Sequence, residues 1–132
     1  MPITSRKIAP LLQVYDMRRS VAWYRDKLGF DGVDTYEPDG HFYWAMLKLG
    51  DAVLILNAKY EDEARPAIEP KIPDCHRDIT LYFDCLDVDQ AYAHITANGL
   101  KAPPPKVTHY KMKQLTITDP DGFQLCFQQP AN

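Results

Sequence analysis

Apolar runs of strand length and amphipathic runs of helix length alternate along this chain in an order that occurs twice. Ile8 to Tyr15 is apolar-rich and of strand length. Asp16 is placed to cap a helix over Met17 to Leu28, where Val21, Tyr24 and Leu28 share a face with Trp23 beside it. Gly29 stands where such a helix ends. Phe30 to Tyr36 predicts a short strand, and Glu37-Pro38-Asp39-Gly40 a turn. Phe42 to Leu49 and Ala52 to Asn57 predict two strands joined by the tight Gly50-Asp51 turn.

The texture then changes. Residues 61–76 carry Pro66, Pro70 and Pro73 among charges, which deny a sheet its donors and predict a linker or surface loop. Beyond it the order returns. Asp78 to Asp84 predicts a strand, and Asp87 caps a helix over Val88 to Asn98 with Gly99 behind it. Pro103-Pro104-Pro105 is a stiff connection. Met112 to Thr118 and Phe123 to Gln128 are strands around the strong turn signal Asp119-Pro120-Asp121-Gly122. Identity between the halves is weak, so the shared order of signals, about 70 residues apart, carries the inference of an internal duplication. The expected organisation is one domain over 1–132, with modules at about 1–60 and 77–132 joined by the linker 61–76.

Strand alternation assigns faces. Pro10, Leu12 and Val14 share one side, as do Leu54 with Leu56, Ile79 with Leu81 and Phe83, and Leu125 with Phe127. All are apolar and suit packing beneath a helix. The other side carries Leu11, Gln13, Ile55, Asn57, Asp78, Thr80, Tyr82, Gln124, Cys126 and Gln128, a mixed set that suits a wet, ligand-facing surface.

Composition narrows the classes. A chain of 132 residues with 45% hydrophobic and 25% charged residues is long enough for one sizeable core. Net charge is −3 with scattered Lys and Arg, so no basic stripe offers itself to nucleic acid. No apolar run suits a bilayer span or a signal peptide, and the expected location is the cytoplasm. Cys75, Cys85 and Cys126 form no C-x-x-C pair, and the expected state is three reduced thiols. His41, His76, His94 and His109 form no H-x-H or H-x-x-x-H pair; His76 and His109 are minor candidates at the rim of the site.

The segments Ala9-Pro10-Leu11-Leu12-Gln13-Val14-Tyr15-Asp16, Ser20-Val21-Ala22-Trp23-Tyr24 and Leu28-Gly29-Phe30 resemble the opening of the vicinal oxygen chelate superfamily. That superfamily holds glyoxalase I, extradiol dioxygenases and the fosfomycin and bleomycin resistance proteins. Asp119-Pro120-Asp121-Gly122-Phe123-Gln124-Leu125 resembles its final hairpin. The resemblance implies an α+β fold of two βαβββ modules, an open curled sheet forming a cup with helices on its outer face. It also implies four metal-ligand positions, which align with Ala9, Ile55, Asp78 and Cys126. Alanine and isoleucine have no lone pair to give, and a carboxylate with a thiolate falls short of a protein cage. The expectation is therefore no metal and no cofactor. Lys111-Met112-Lys113 stands where many members carry a Gly-Met-Arg-like segment, and lysine lacks the bidentate grip of arginine.

In place of a metal, Phe42, Trp44 and Met46 alternate along one strand as an aromatic row, opposite Tyr43, Ala45, Leu47 and Leu49; either row suits the core, and the second, smaller and more aliphatic, is the one expected there. Tyr82, Tyr110 and Met112 join the row from the second module, and Gln13, Asn57, Gln124 and Gln128 supply neutral polar groups. Lys48, Asp78, Lys111 and Lys113 are rim charges. The expected function is a metal-independent small-molecule binding protein resembling the bleomycin resistance branch. It would hold a planar, partly cationic or amphipathic compound, and would pair as a homodimer through exposed sheet edges. The alternative is a lyase, isomerase or dioxygenase with a rearranged site of Asp78, Cys126 and a histidine. In a cup of this kind Cys126 is also the candidate nucleophile, if a base lowers its pKa.

Overall fold

A computed structural model describes residues 3–131. Its strands and helices are β1 (Leu11–Val14), α1 (Met17–Trp23), β2 (Asp31–Tyr36), β3 (Trp44–Leu49) and β4 (Ala52–Ala58), then β5 (Thr80–Asp84), α2 (Val88–Ala97), β6 (Lys106–Val107), β7 (Met112–Thr118) and β8 (Gln124–Pro130). They form two four-stranded sheets with strand orders β1-β4-β3-β2 and β5-β8-β7-β6. In each sheet the first strand pairs parallel with the fourth and the other pairs are antiparallel. The class is α+β, two βαβββ modules with one topology. By contacts the chain divides into two compact units, Met1–Arg25 with Gly29–Glu69, and Asp26–Leu28 with Pro70–Asn132. No helix among the described residues is long and apolar enough to cross a membrane.

In the first unit, Asp16 caps α1 by accepting the Arg19 N–H at 3.2 Å. The helix continues as a π turn over Tyr24–Leu28 and stops at Gly29, whose φ of 91° is the left-handed conformation that glycine adopts at least cost. The Gly29 and Phe30 N–H groups donate back to the Arg25 and Tyr24 carbonyls, so the helix end is satisfied. Met17, Ser20 and Tyr24 are the buried side of the part of this segment that belongs to the first unit. Ser20 takes the place expected of Val21, which is only half-buried. Beneath lie Leu12, Val14, Ala45, Leu47, Leu54 and Leu56, all buried.

Residues of the proline-rich segment up to Glu69 are held to this unit. The Arg19 guanidinium grips both Glu69 oxygens at 2.7 and 2.9 Å, and the Tyr15 hydroxyl donates to the Pro66 carbonyl. That hydrogen bond with Arg19 holds the Glu69 carboxyl below its ordinary pKa, against a smaller opposing effect of burial.

In the second unit, Asp87 caps α2 by accepting the Gln90 N–H at 3.0 Å, while the Gln129 side chain takes the Val88 N–H. Val88 and Ile95 are the buried residues of α2, and on the helix side of the sheet Phe83 stacks on Phe127 at 4.9 Å between ring centroids. Leu115, Ile117 and Leu125 complete this core. The β7–β8 turn is built around Asp119, whose side chain accepts the Asp121 and Phe123 N–H groups, each at 2.9 Å. Gly122 has φ +88°, and a Cβ there would meet Ile72 Cγ2 at 2.5 Å, so only glycine fits. His76 stacks on Phe123 at 4.0 Å, and its Nδ1 lies 2.6 Å from the Asp121 carbonyl oxygen.

Two expectations are corrected. Asp78 is not on a strand: it ends a 3₁₀ turn over Asp74–Asp78 and is exposed, because pairing with β8 begins only at Thr80. Ile79, expected in the core, is 50% exposed for the same reason.

Candidate functional site

Pairing registers turn single residues into rows. On the first sheet's face away from α1, Gln13 lies opposite Asn57, Asn57 opposite Trp44, and Trp44 opposite Tyr36. The next row is Leu11, Ile55, Met46 and Asp34. Trp44, Met46, Ile55 and Asn57 are half-buried, while Gln13, Leu11 and Tyr36 are exposed. The three residues Gln13, Asn57 and Trp44 thus stand side by side across three strands, with Met46 one row along. Phe42 lies apart from them. It is buried, and the Arg18 guanidinium of α1 sits 5.5 Å above its ring centroid.

Tyr36 is a member of this row that the strand pattern did not single out. Its ring lies 6.2 Å from that of Tyr43, which is in turn 6.2 Å from His41. The His41 Nδ1 is 3.0 Å from Asp62 Oδ2. Burial and the carboxylates of Glu61, Asp62 and Glu63 push the Tyr43 phenol above its ordinary pKa, which marks a locally negative field.

The second sheet's face away from α2 is polar. Tyr82 lies opposite Cys126 and Cys126 opposite Thr116, with Thr80–Gln124–Thr118 on one side and Asp84–Gln128–Gln114 on the other. The Thr80 hydroxyl donates to Gln124 Oε1 at 3.2 Å. Gln114 Nε2 donates to the Tyr110 hydroxyl and to Gln128 Oε1, both at 3.0 Å. Tyr82 and Tyr110 are more than half exposed, and Met112 and Gln124 are half-buried. Lys113 points to the helix side, paired with Asp89 of α2.

The residues at the four metal-ligand positions do not fit a divalent metal. Ala9 is exposed before β1, Ile55 lies on β4, and Asp78 is exposed in the 3₁₀ turn. Cys126 is 2% exposed, and burial pushes its thiol above the ordinary pKa although a hydrogen bond with Thr116 opposes this. A protonated thiol is neither a good ligand nor a ready nucleophile at neutral pH. Among the described residues no three His, Cys, Asp or Glu side chains converge as a metal would require.

Against known families, residues 7–127 match the Glyoxalase/Bleomycin resistance protein/Dioxygenase superfamily. The chain belongs to that superfamily. No curated protein matches it. Among solved structures, this superfamily member is similar to a bleomycin resistance determinant encoded on transposon Tn5, with TM-score 0.73 and 20% identity over 96% of this chain and 98% of that one. It is similar also to TnmS3, an antibiotic binding protein from Streptomyces sp. CB03234, with TM-score 0.70 and 24% identity over 97% and 98%. A bleomycin-binding protein complexed with bleomycin aligns with TM-score 0.69 and 20% identity over 95% and 98%. At these identities the likeness shows a shared fold.

Proposed function

We propose that this superfamily member is a metal-independent small-molecule binding protein, with the open face of its first sheet as an aromatic floor for a planar or amphipathic compound. The observation that carries the reading is the row Gln13–Asn57–Trp44–Tyr36, backed by Met46, Ile55 and Leu11. An indole and a phenol give flat area for stacking, each contributing roughly 0.5–1.5 kcal/mol beyond burial. The amides of Gln13 and Asn57 orient a ligand without demanding a charge from it. The carboxylates of Glu61, Asp62 and Glu63 near Tyr43 favour a partly cationic compound. Tyr82, Tyr110, Met112 and Gln124 lie in the second unit, where they form a separate candidate surface on that unit's own polar face. Support for the ligand class comes from two proteins of the same fold, an antibiotic binding protein and a bleomycin-binding protein.

A thermal-shift screen with bleomycin and a set of planar aromatic compounds, each with and without added Zn²⁺, Ni²⁺, Mn²⁺ or Fe²⁺, tests this. A ligand at about 100 times its Kd adds about 2.7 kcal/mol of stability. At least one compound is expected to raise Tm by several degrees without metal, and Trp44→Ala is expected to weaken its binding about tenfold. A screen in which only metal-supplemented samples shift would overturn the reading.

A further inference from the structure

The second unit contains a cleft of about 250 Å³ lined by Pro103, Pro104, Lys106, Gln114 and Thr116. It lies where the triple-proline connection meets the polar face of the sheet, and β6 forms its edge by pairing Lys106 with Gln114. Three features define what it can hold. First, both amide hydrogens of Gln114 are engaged, by the Tyr110 hydroxyl and by Gln128 Oε1. What Gln114 has left for the cleft is its carbonyl oxygen, an acceptor, and the two hydrogen bonds fix its orientation. Second, the Lys106 ammonium makes no ion pair or side-chain hydrogen bond among the described residues, so its donors are free. Third, two proline rings line the wall, apolar and without N–H donors.

The cleft therefore presents a donor cation and a fixed neutral acceptor side by side against an apolar wall. We propose that it is a subsite for a carboxamide, or the related urea or carbamate: the ligand carbonyl accepts from Lys106 while its N–H donates to Gln114 Oε1. A carboxylate satisfies Lys106 but sets an unprotonated oxygen against the Gln114 carbonyl. An ester accepts from Lys106 but brings no N–H to Gln114 Oε1, so it forfeits one of the two hydrogen bonds. The volume lies below the roughly 300–1,000 Å³ of pockets that enclose drug-sized ligands, so the cleft takes one group of a larger molecule. This assignment deepens the small-molecule reading above and rests on it.

Titration of the ¹⁵N-labelled full chain with benzamide, benzoate and methyl benzoate, followed by ¹H–¹⁵N correlation spectra, tests it. Benzamide is expected to give saturable shifts at Lys106, Thr116 and the Gln114 side-chain NH₂, with Kd several-fold lower than for the other two. Gln114→Met should weaken benzamide roughly three- to tenfold, the usual worth of one hydrogen bond. Since Gln114 also braces Tyr110 and Gln128, the exposed Lys106→Met is the second variant, and it should weaken benzamide while leaving the rest of the spectrum unchanged. Benzoate binding as tightly as benzamide would overturn the proposal, because the cleft would then be reading charge alone. So would benzamide shifts that avoid these residues, even with the Trp44-dependent thermal shift intact; in that case only the carboxamide assignment falls. Loss of that thermal shift with the benzamide response retained would instead remove the aromatic-floor reading.

Discussion

Leu12→Ala is expected to lower the unfolding free energy by about 2–5 kcal/mol, and Leu11→Ala by less than about 1 kcal/mol. The two leucines are neighbours on β1 and the same truncation is made at each, so only the face differs. Leu12 is 5% exposed beneath α1 and pairs with the buried Leu56. Its removal loses the transfer free energy of the side chain and leaves a void in a packed core. Leu11 is 52% exposed on the open face opposite Ile55. Little of what it covers is water-free, so little is lost. Urea unfolding followed by circular dichroism separates the two. Equal costs would mean that the faces are wrongly assigned, because a one-residue slip in register exchanges them.

Asp119→Ala is the second large effect. Asp119 is 5% exposed, and its side chain holds the N–H groups of Asp121 and Phe123 at the β7–β8 turn. Alanine leaves both donors without that acceptor in a turn packed by Ile72 and His76. Each unsatisfied donor costs about 1–3 kcal/mol, so a loss of about 2–6 kcal/mol is expected in the same unfolding assay. Asp119→Asn, which keeps one side-chain oxygen, should cost clearly less. Equal losses in the two variants would argue that the charge, rather than the pair of hydrogen bonds, holds the turn.

Much of the fold was legible because local chemistry and the global arrangement agree. Asp16 and Asp87 cap the helices expected of them, and Gly29 and Gly99 stand at their ends with positive φ. The alternation of Leu11, Leu12, Gln13 and Val14 follows the burial of β1 residue by residue. What escaped has physical causes. β6 has two residues, too few for any periodicity, and follows three prolines. Asp78 and Ile79 continue the apolar-polar alternation of β5, yet pairing starts at Thr80 and alternation alone does not mark where a partner strand begins. Val21 and Ser20 both lie near the helix face, and burial favours Ser20 because it is small enough to pack close.

The candidate site was legible only in part. Trp44, Asn57 and Gln13 come into one row through cross-strand register, which no single strand displays. Phe42 has the parity of Trp44 but precedes β3, so the pleat does not govern it and it packs by Arg18. Tyr36 joins the row from a strand whose register shifts between Gly32 and Asp34, which breaks the alternation that would have flagged it. Gln114 and Thr116 lie on a strand of the expected extent, but their cleft depends on the proline connection folding beside them.

The measurement that bears most directly on the central claim is isothermal titration of the strongest screening hit into protein dialysed against EDTA, for the wild type and Trp44→Ala. The account predicts an unchanged Kd after metal removal and a roughly tenfold weaker Kd in the variant. Binding that disappears with EDTA and returns with a divalent metal, or a Kd indifferent to Trp44→Ala, would contradict it.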